Sequence, residues 1–221
     1  MADAGATIVK TNFTRTINAS RDDDRLTLGA DLITNLPGYF AGLTKNPFGL
    51  STLADLREKT RNTPAEENQI WGTGLWDIAL DEVGFNNTDP RFWPAWQRLL
   101  QLQGPDGLLG ALEKDNLTAI VTPHLFAAGM ANFIGAPVVT VPLGYYPGNT
   151  EVKTRPGKIS PPLVVSGPSV PFAISFVGRQ WSDADLIGLA YSFEQKTQAR
   201  SRARRIIMPE AEVPLSGSCA A

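Results

Sequence analysis

Runs of strand-forming residues alternate with runs of helix-forming residues in the second half of the sequence. Strands are predicted at 117–123, 137–142 and 172–178, where Val, Ile, Thr and Phe cluster beside prolines and glycines. Helices are predicted near 128–134 and over 182–199, where apolar residues recur at helical spacing. Because sheets and helices that alternate bury their apolar faces against one another, this order predicts an α/β layered fold.

The first half of the sequence is predicted to be mainly helical, with one strand at 7–9. Thr52 and Asp55 have the spacing of a capping box, which predicts that a helix begins there. Ser182 and Asp185 repeat this spacing and predict a second capped helix start.

Two prolines mark predicted helix boundaries. Pro37 is expected to interrupt a short apolar helix at 32–43, because a proline ring removes a backbone hydrogen bond. Pro90 is expected to lie in the first turn of a helix, where that bond is not needed. The predicted buried stripe of this helix consists of Trp93, Trp96, Leu99 and Leu100. The segment 147–168, rich in Pro and Gly, is predicted to be a long surface loop.

The composition excludes several classes of protein. With 20 basic and 22 acidic residues the net charge is −2, which gives no positive field for nucleic acid. No stretch approaches the roughly 20 apolar residues of a membrane helix, and no signal peptide is recognised, so a cytoplasmic protein without membrane contact is expected. The single cysteine, Cys219, excludes a disulfide framework. Four glycosylation triplets are attributed to chance, at Asn12, Asn18, Asn86 and Asn116.

Motifs that carry catalysis are scarce in the sequence. His124 is the only histidine, and it follows a predicted strand end, where α/β proteins place ligand loops. No Gly-x-Ser-x-Gly motif, metal-ligand spacing, GxGxxG or P-loop accompanies it, so no metal or nucleotide site is predicted. A hydrolase that uses His124 with Ser166 or Ser169 stays an open alternative.

Three segments carry a family resemblance. In order they are "AIVTP" at 119–123, "GMANFIGAPVVTVPLG" at 129–144 and "GPSVPFAISFVGRQWSDADLIGLAYSFEQKTQAR" at 167–200. Together they resemble the C-terminal part of amidase-signature family hydrolases, particularly the fungal branch. The resemblance is best over 117–205, and the segments upstream resemble the same branch in order and character.

The resemblance implies a mixed β-sheet with helices on both faces and hydrolysis of carbon–nitrogen amide bonds in small molecules. In that family a lysine acts as general base through a second serine, held in a cis peptide, and so activates a nucleophilic serine. Backbone N–H groups stabilise the oxyanion that forms. The resemblance implies no metal and no organic cofactor.

The family's catalytic residues have no counterpart in this sequence. It contains no Ser-Ser dipeptide and no Gly-Ser-Ser-Gly loop, and none of its lysines lies in the family's context. We therefore expect no catalytic residue here and interpret the chain as a truncated, C-terminal portion of an amidase that is inactive alone, a pseudoenzyme. The alternative is a non-catalytic small-molecule binding or regulatory protein derived from an amidase.

The segment "ANFIGAPVVTVPLG" at 131–144 is interpreted as a structural support of the sheet and not as an active site. Gly135 and Pro137 would set its corner, and Pro142 would end its strand because proline has no N–H to donate. Asn132 would serve buried backbone groups with its amide. The whole region 1–210 is predicted to form one incomplete α/β domain, followed by a flexible tail at 211–221.

The loop 122–130 is the candidate wall of a substrate pocket, because it runs from a strand end into a helix. The candidate substrate-binding residues on it are His124, Phe126 and Met130. Without the rest of an amidase, strand edges and helix faces would be uncovered, so self-association through an exposed sheet edge is also expected.

Overall fold

The computed structural model describes residues 1–13, 21–155 and 162–202. The predictions for Asn18, for Cys219 and for the tail at 211–221 lie outside the described residues. The predicted strand at 7–9 does not form; this segment has no regular secondary structure, and its apolar residues Ile8 and Val9 are exposed. No strand pairs with it in the described part of the chain, so β-forming residues alone do not make a strand there.

The first long helix, α1, spans Arg21–Ala41. Three aspartates occupy its first turn, where carboxylates face the positive end of the helix dipole. The predicted interruption at Pro37 does not occur, because the helix continues through this residue. The buried residues Ala30 and Phe40 lie on either side of Pro37, so packing holds both segments in one helix despite the lost hydrogen bond.

The second helix, α2, spans Leu53–Arg61 and begins with the predicted capping box. The Thr52 hydroxyl accepts a hydrogen bond from the Asp55 N–H at 3.1 Å, and the Asp55 carboxylate accepts one from the Thr52 N–H at 2.8 Å. The extended backbone of Thr52, with φ −136° and ψ 168°, allows both bonds. Short helical turns follow at Pro64–Glu66, Asn68–Trp71, Gly74–Asp77 and Ile78–Val83.

Helix α3 spans Phe92–Gln103, so it begins two residues after Pro90, which lies outside it. Its buried stripe consists of Phe92, Ala95, Leu99 and Gln103. Trp93 is 60% exposed, and the prediction that it is buried is wrong. Because each residue turns an α-helix by about 100°, a stripe that starts at Phe92 leaves the next residue on the outer face.

Helix α4 at Leu108–Lys114 leads into the sheet. Strand β1 at Ile120–Pro123 is followed directly by helix α5 at His124–Ala131, where a loop and a later helix near 128–134 were expected. Strand β2 spans Val138–Tyr145, so the prediction that Pro142 ends it is wrong. The pairing instead shifts register between Pro142 and Gly144, which is how a strand accommodates a proline at its edge.

The segment 147–168 is not a loop throughout. It contains strands β3 at Lys153–Arg155 and β4 at Leu163–Ser166, which pair with each other as a separate antiparallel ribbon. The next strand, β5 at Pro171–Val177, is the central strand of a three-stranded sheet with the order β1–β5–β2. Both neighbours run antiparallel to it, so β1 and β2 are the edges within the described residues.

Helices cover both faces of this sheet, which confirms the predicted α/β fold class. On one face, a buried cluster joins α4 and α5 to the sheet and includes Leu108, Leu112, Ile120, Met130 and Val177. On the other face, helix α6 at Asp183–Thr197 packs Leu186 and Ala190 against Val141 and Phe176. A short 3-10 helix at Ala199–Arg202 follows. Within the described ranges, no helix combines the length and the apolar character needed to cross a membrane.

Candidate functional site

The three candidate substrate-binding residues lie on α5 in three different environments. His124 is half-buried at the first position of the helix, and its Nδ1 atom lies 3.3 Å from the Ala173 carbonyl oxygen. Phe126 is 48% exposed, whereas Met130 is 2% exposed and belongs to the core. Only the first two therefore reach the surface, with Met130 packed behind them.

The outer face of α5 is apolar and open. Leu125 is 70% exposed beside the half-exposed Phe126, and Ala128 and Gly129 complete this face without a charge. The sequence prediction did not include Leu125. The helix is apolar around most of its circumference, and such a helix is normally buried on both faces. This face lies directly after the carboxyl end of β1, a position where α/β proteins place ligands.

A separate open cleft of about 630 Å³ lies between the end of α5 and the start of α6. Its lining includes Ala131, Asn132, Pro137, Gln180, Trp181 and Asp183. None of the three predicted residues lines this cleft. The sequence prediction therefore selected α5 itself, whereas this cleft lies beyond its carboxyl end.

Two left-handed residues shape this cleft. Gly135 has φ 59°, and a side chain there would press on the Gln180 amide, which donates a hydrogen bond to the Ile134 carbonyl at 2.7 Å. The predicted corner at Gly135 is therefore present. Trp181 has φ 67° and is 91% exposed, which is an unusual conformation for a bulky residue.

Asn132 serves a backbone group as predicted, but not a buried one. Its side chain is exposed on the cleft, and its side-chain oxygen Oδ1 accepts a hydrogen bond from the neighbouring Phe133 N–H at 2.9 Å. The amide that serves this corner from inside is Gln103, which is 2% exposed on α3. Its Nε2 atom donates to the Gly129 carbonyl at 2.9 Å, and its Oε1 atom accepts from the Phe133 N–H at 3.2 Å. The sequence offered one signal for this role: a glutamine that lies four residues after Leu99, on the apolar stripe of α3.

Arg179 connects the loop after β5 to the end of α4 and to the segment that follows it. Its guanidinium donates hydrogen bonds to the Leu117 carbonyl at 2.7 Å and to the Leu112 carbonyl at 2.8 Å. Leu112 lies in the last turn of α4, where backbone carbonyls have no partner within the helix. Gln103 thus fixes the backbone at Gly129 and Phe133, and Arg179 fixes the end of α4; neither residue was singled out from the sequence.

Within the described residues, no histidine or lysine is hydrogen-bonded to a hydroxyl that it could activate. His124 bonds to the backbone of Ala173, and no hydrogen bond of the described structure joins it to Ser166 or Ser169. The closest hydroxyl pair is Thr140 and Ser175 at 2.7 Å, with Ser175 fully buried and no basic side chain bonded to either. Across 1–13, 21–155 and 162–202, no group of three His, Cys, Asp or Glu side chains is placed to hold a metal ion.

Two proteins similar to this chain are named as amidases. The chain is 42% identical over 217 residues to "Putative amidase" of Arthroderma benhamiae, a match that covers 96% of this chain and 35% of the relative. It is 25% identical over 185 residues to "Probable amidase" of Arabidopsis thaliana, covering 83% of this chain and 31% of that protein. No protein-family model matches the chain.

Solved amidase structures share the fold. A peptide amidase from Stenotrophomonas maltophilia superimposes with a TM-score of 0.63 at 24% identity, over 86% of this chain and 36% of the enzyme. An amidase family protein from Bacillus anthracis gives 0.61 at 17% identity, over 88% of this chain and 32% of that protein. The chain therefore spans about a third of the length of the proteins that it matches.

Proposed function

We propose that the chain forms one part of an amide-hydrolysing domain, because it is similar over nearly its whole length to a relative named as an amidase. The proposal rests on the unequal coverage of this match, which includes 96% of this chain but 35% of the relative. The serines and the lysine that the amidase-signature resemblance requires would then lie in the unmatched part. This chain would be inactive without that part.

We further propose that the outer face of α5 forms a wall of the substrate pocket. Its exposed side chains, Leu125 and Phe126, would contact the apolar portion of a small amide. His124 would fix the start of this helix through its contact with Ala173, and Met130 would support it from the core. The substrate class is a linear carboxamide, in keeping with the amidases that the chain resembles.

Ammonia release from a simple carboxamide tests the proposal. We expect no turnover above the blank from the purified chain, since no lysine or histidine of the described residues is hydrogen-bonded to a hydroxyl. Turnover by the pure chain would contradict this, and its loss on replacing His124 with Ala would assign the chemistry to the lone histidine instead.

The cleft favours a second candidate, a non-catalytic small-molecule binding protein. An exposed indole beside the amides of Asn132 and Gln180 offers both a stacking surface and hydrogen bonds. A thermal-shift screen with small amides and carboxylic acids distinguishes the candidates. Stabilisation that disappears in Trp181→Ala would favour binding, and no shift with any compound would leave the amidase portion as the better account.

A further inference from the structure

Helix α6 is apolar on two opposite sides. Leu186 and Ala190 are 0% and 3% exposed against the sheet, whereas Ile187 and Tyr191 are 58% and 62% exposed on the outside. No residue between Asp185 and Glu194 is charged. A helix that is apolar on opposite sides is normally buried between two layers, and here the second layer is absent from the described residues.

Gly188 lies on the same outer face, between these two side chains. A Cβ atom built on it meets nothing within 4 Å, so this chain gives no packing reason for a glycine. Glycine weakens a helix interior relative to alanine, and it is useful where another backbone approaches closely. A glycine flanked by Ile187 and Tyr191 forms a shallow groove between two ridges, which is the shape into which a second helix packs.

The candidate source of such a helix is the part of the similar amidases that this chain does not match. About two thirds of each has no counterpart here, since the chain covers 35% of one relative and 36% of one solved structure. We propose that the outer face of α6, formed by Ile187, Gly188 and Tyr191, docks an apolar helix from the amidase part that this chain does not match. This inference rests on the proposed function, but it concerns the opposite face of the sheet from the α5 wall.

Co-expression tests this docking surface. The tagged 221-residue chain is produced together with the unmatched part of the Arthroderma benhamiae relative, and the amount of that part retained on the tag is measured. We expect retention by the unaltered chain and at least a tenfold loss with Tyr191→Arg or Gly188→Leu. The matched control is Tyr39→Arg, because Tyr39 on α1 is 63% exposed, against 62% for Tyr191, and lies far along the chain from α6.

The variants must also be compared without a partner. Ile187, Gly188 and Tyr191 are exposed, so substitutions there should leave the melting temperature of the chain alone within a few degrees. Equal loss of retention with Tyr39→Arg would overturn the assignment to α6, as would failure of the unaltered chain to retain the partner. Concentration-dependent dimerisation that Tyr191→Arg abolishes would also overturn it, because the occupant would then be a second copy.

Retention and turnover separate this inference from the proposed function. If the unaltered chain retains the partner and the pair releases no ammonia from a carboxamide, the docking surface stands and the amidase assignment fails. If turnover appears and survives Tyr191→Arg and Gly188→Leu, the amidase assignment stands and the docking surface is wrong.

Discussion

The helical region at 21–103 and the sheet region at 108–202 differ in the contacts that join their distant segments. Polar side chains connect distant segments of the helical region: Arg57 pairs with Asp77 and Asp81, and Arg98 pairs with Asp23. The sheet region is held by two apolar clusters, one on each face. Apolar residues such as Leu53 and Leu99 are also buried in the helical region, so burial stabilises both regions and the ion pairs add little.

The largest effect is expected from opening the core of the sheet region. Leu112 is fully buried on α4, so Leu112→Ala should lower the free energy of unfolding by about 2–5 kcal/mol. The matched control is Leu125→Ala on α5, where the side chain is 70% exposed and the loss should stay below about 0.5 kcal/mol. Urea denaturation measures both, and similar losses would show that burial does not separate the two sites.

The next effect tests the connection between the two regions. Gln103 is the buried amide that joins α3 to Gly129 and Phe133, so Gln103→Leu should cost about 1–3 kcal/mol. Gln101→Leu is the control, because Gln101 is exposed on the same helix. Unfolding followed by tryptophan fluorescence and by circular dichroism should give less coincident transitions in the Gln103 variant. If the two substitutions cost the same, the Gln103 bonds do not join the regions.

A smaller loss is expected within the helical region, at the capping box of α2. Thr52→Ala removes the hydroxyl that accepts from the Asp55 N–H and should cost about 1 kcal/mol. Thr52→Ser keeps this acceptor and should restore most of the stability. The pair is compared by thermal denaturation, and equal melting temperatures for the alanine and serine variants would contradict a capping role.

The smallest predicted effect is a dependence on pH at the same box. Hydrogen bonds from the Ser51 hydroxyl, then from the Ser51 N–H and from Thr52, lower the pKa of Asp55 from 3.8 to about 2. Because the folded pKa lies below the unfolded one, Asp55 stabilises the fold above about pH 4 and loses this contribution as pH falls toward 2. Melting temperatures between pH 5 and 2 should therefore fall more steeply for the unaltered chain than for Asp55→Asn. Parallel curves would contradict the prediction.

The two predicted capping boxes show what a local pattern can determine. The pattern is the same at Thr52 and at Ser182, yet only the first forms. Ser182 has φ −88° and ψ 24°, which is not the extended backbone of a capping residue, and its hydroxyl donates to the Arg179 carbonyl instead. The left-handed backbone of Trp181, just before Ser182, changes the direction of the chain. The spacing of residues in the sequence does not indicate this turn.

Sequence pattern predicted β1, β2, β5 and the buried face of α6, because burial of apolar residues decides them, but it missed β3, β4, the start of α5 and the apolar outer face of α6. It did not predict Gln103 or Arg179, whose bonds join residues 26 to 67 positions apart. Such contacts depend on how complete elements pack, so only the assembled fold reveals them. The substrate-binding roles of His124, Phe126 and Met130 stay predictions, with Met130 placed behind the surface and not on it.

Pro142 has a consequence for solubility. It lies within β2, an edge of the three-stranded sheet in the described part of the chain. Within sheets, proline occupies positions whose missing N–H points away from the paired strand. A foreign strand that tried to extend the sheet beyond β2 would therefore meet a gap in its hydrogen-bond ladder, and filament growth from this edge is disfavoured.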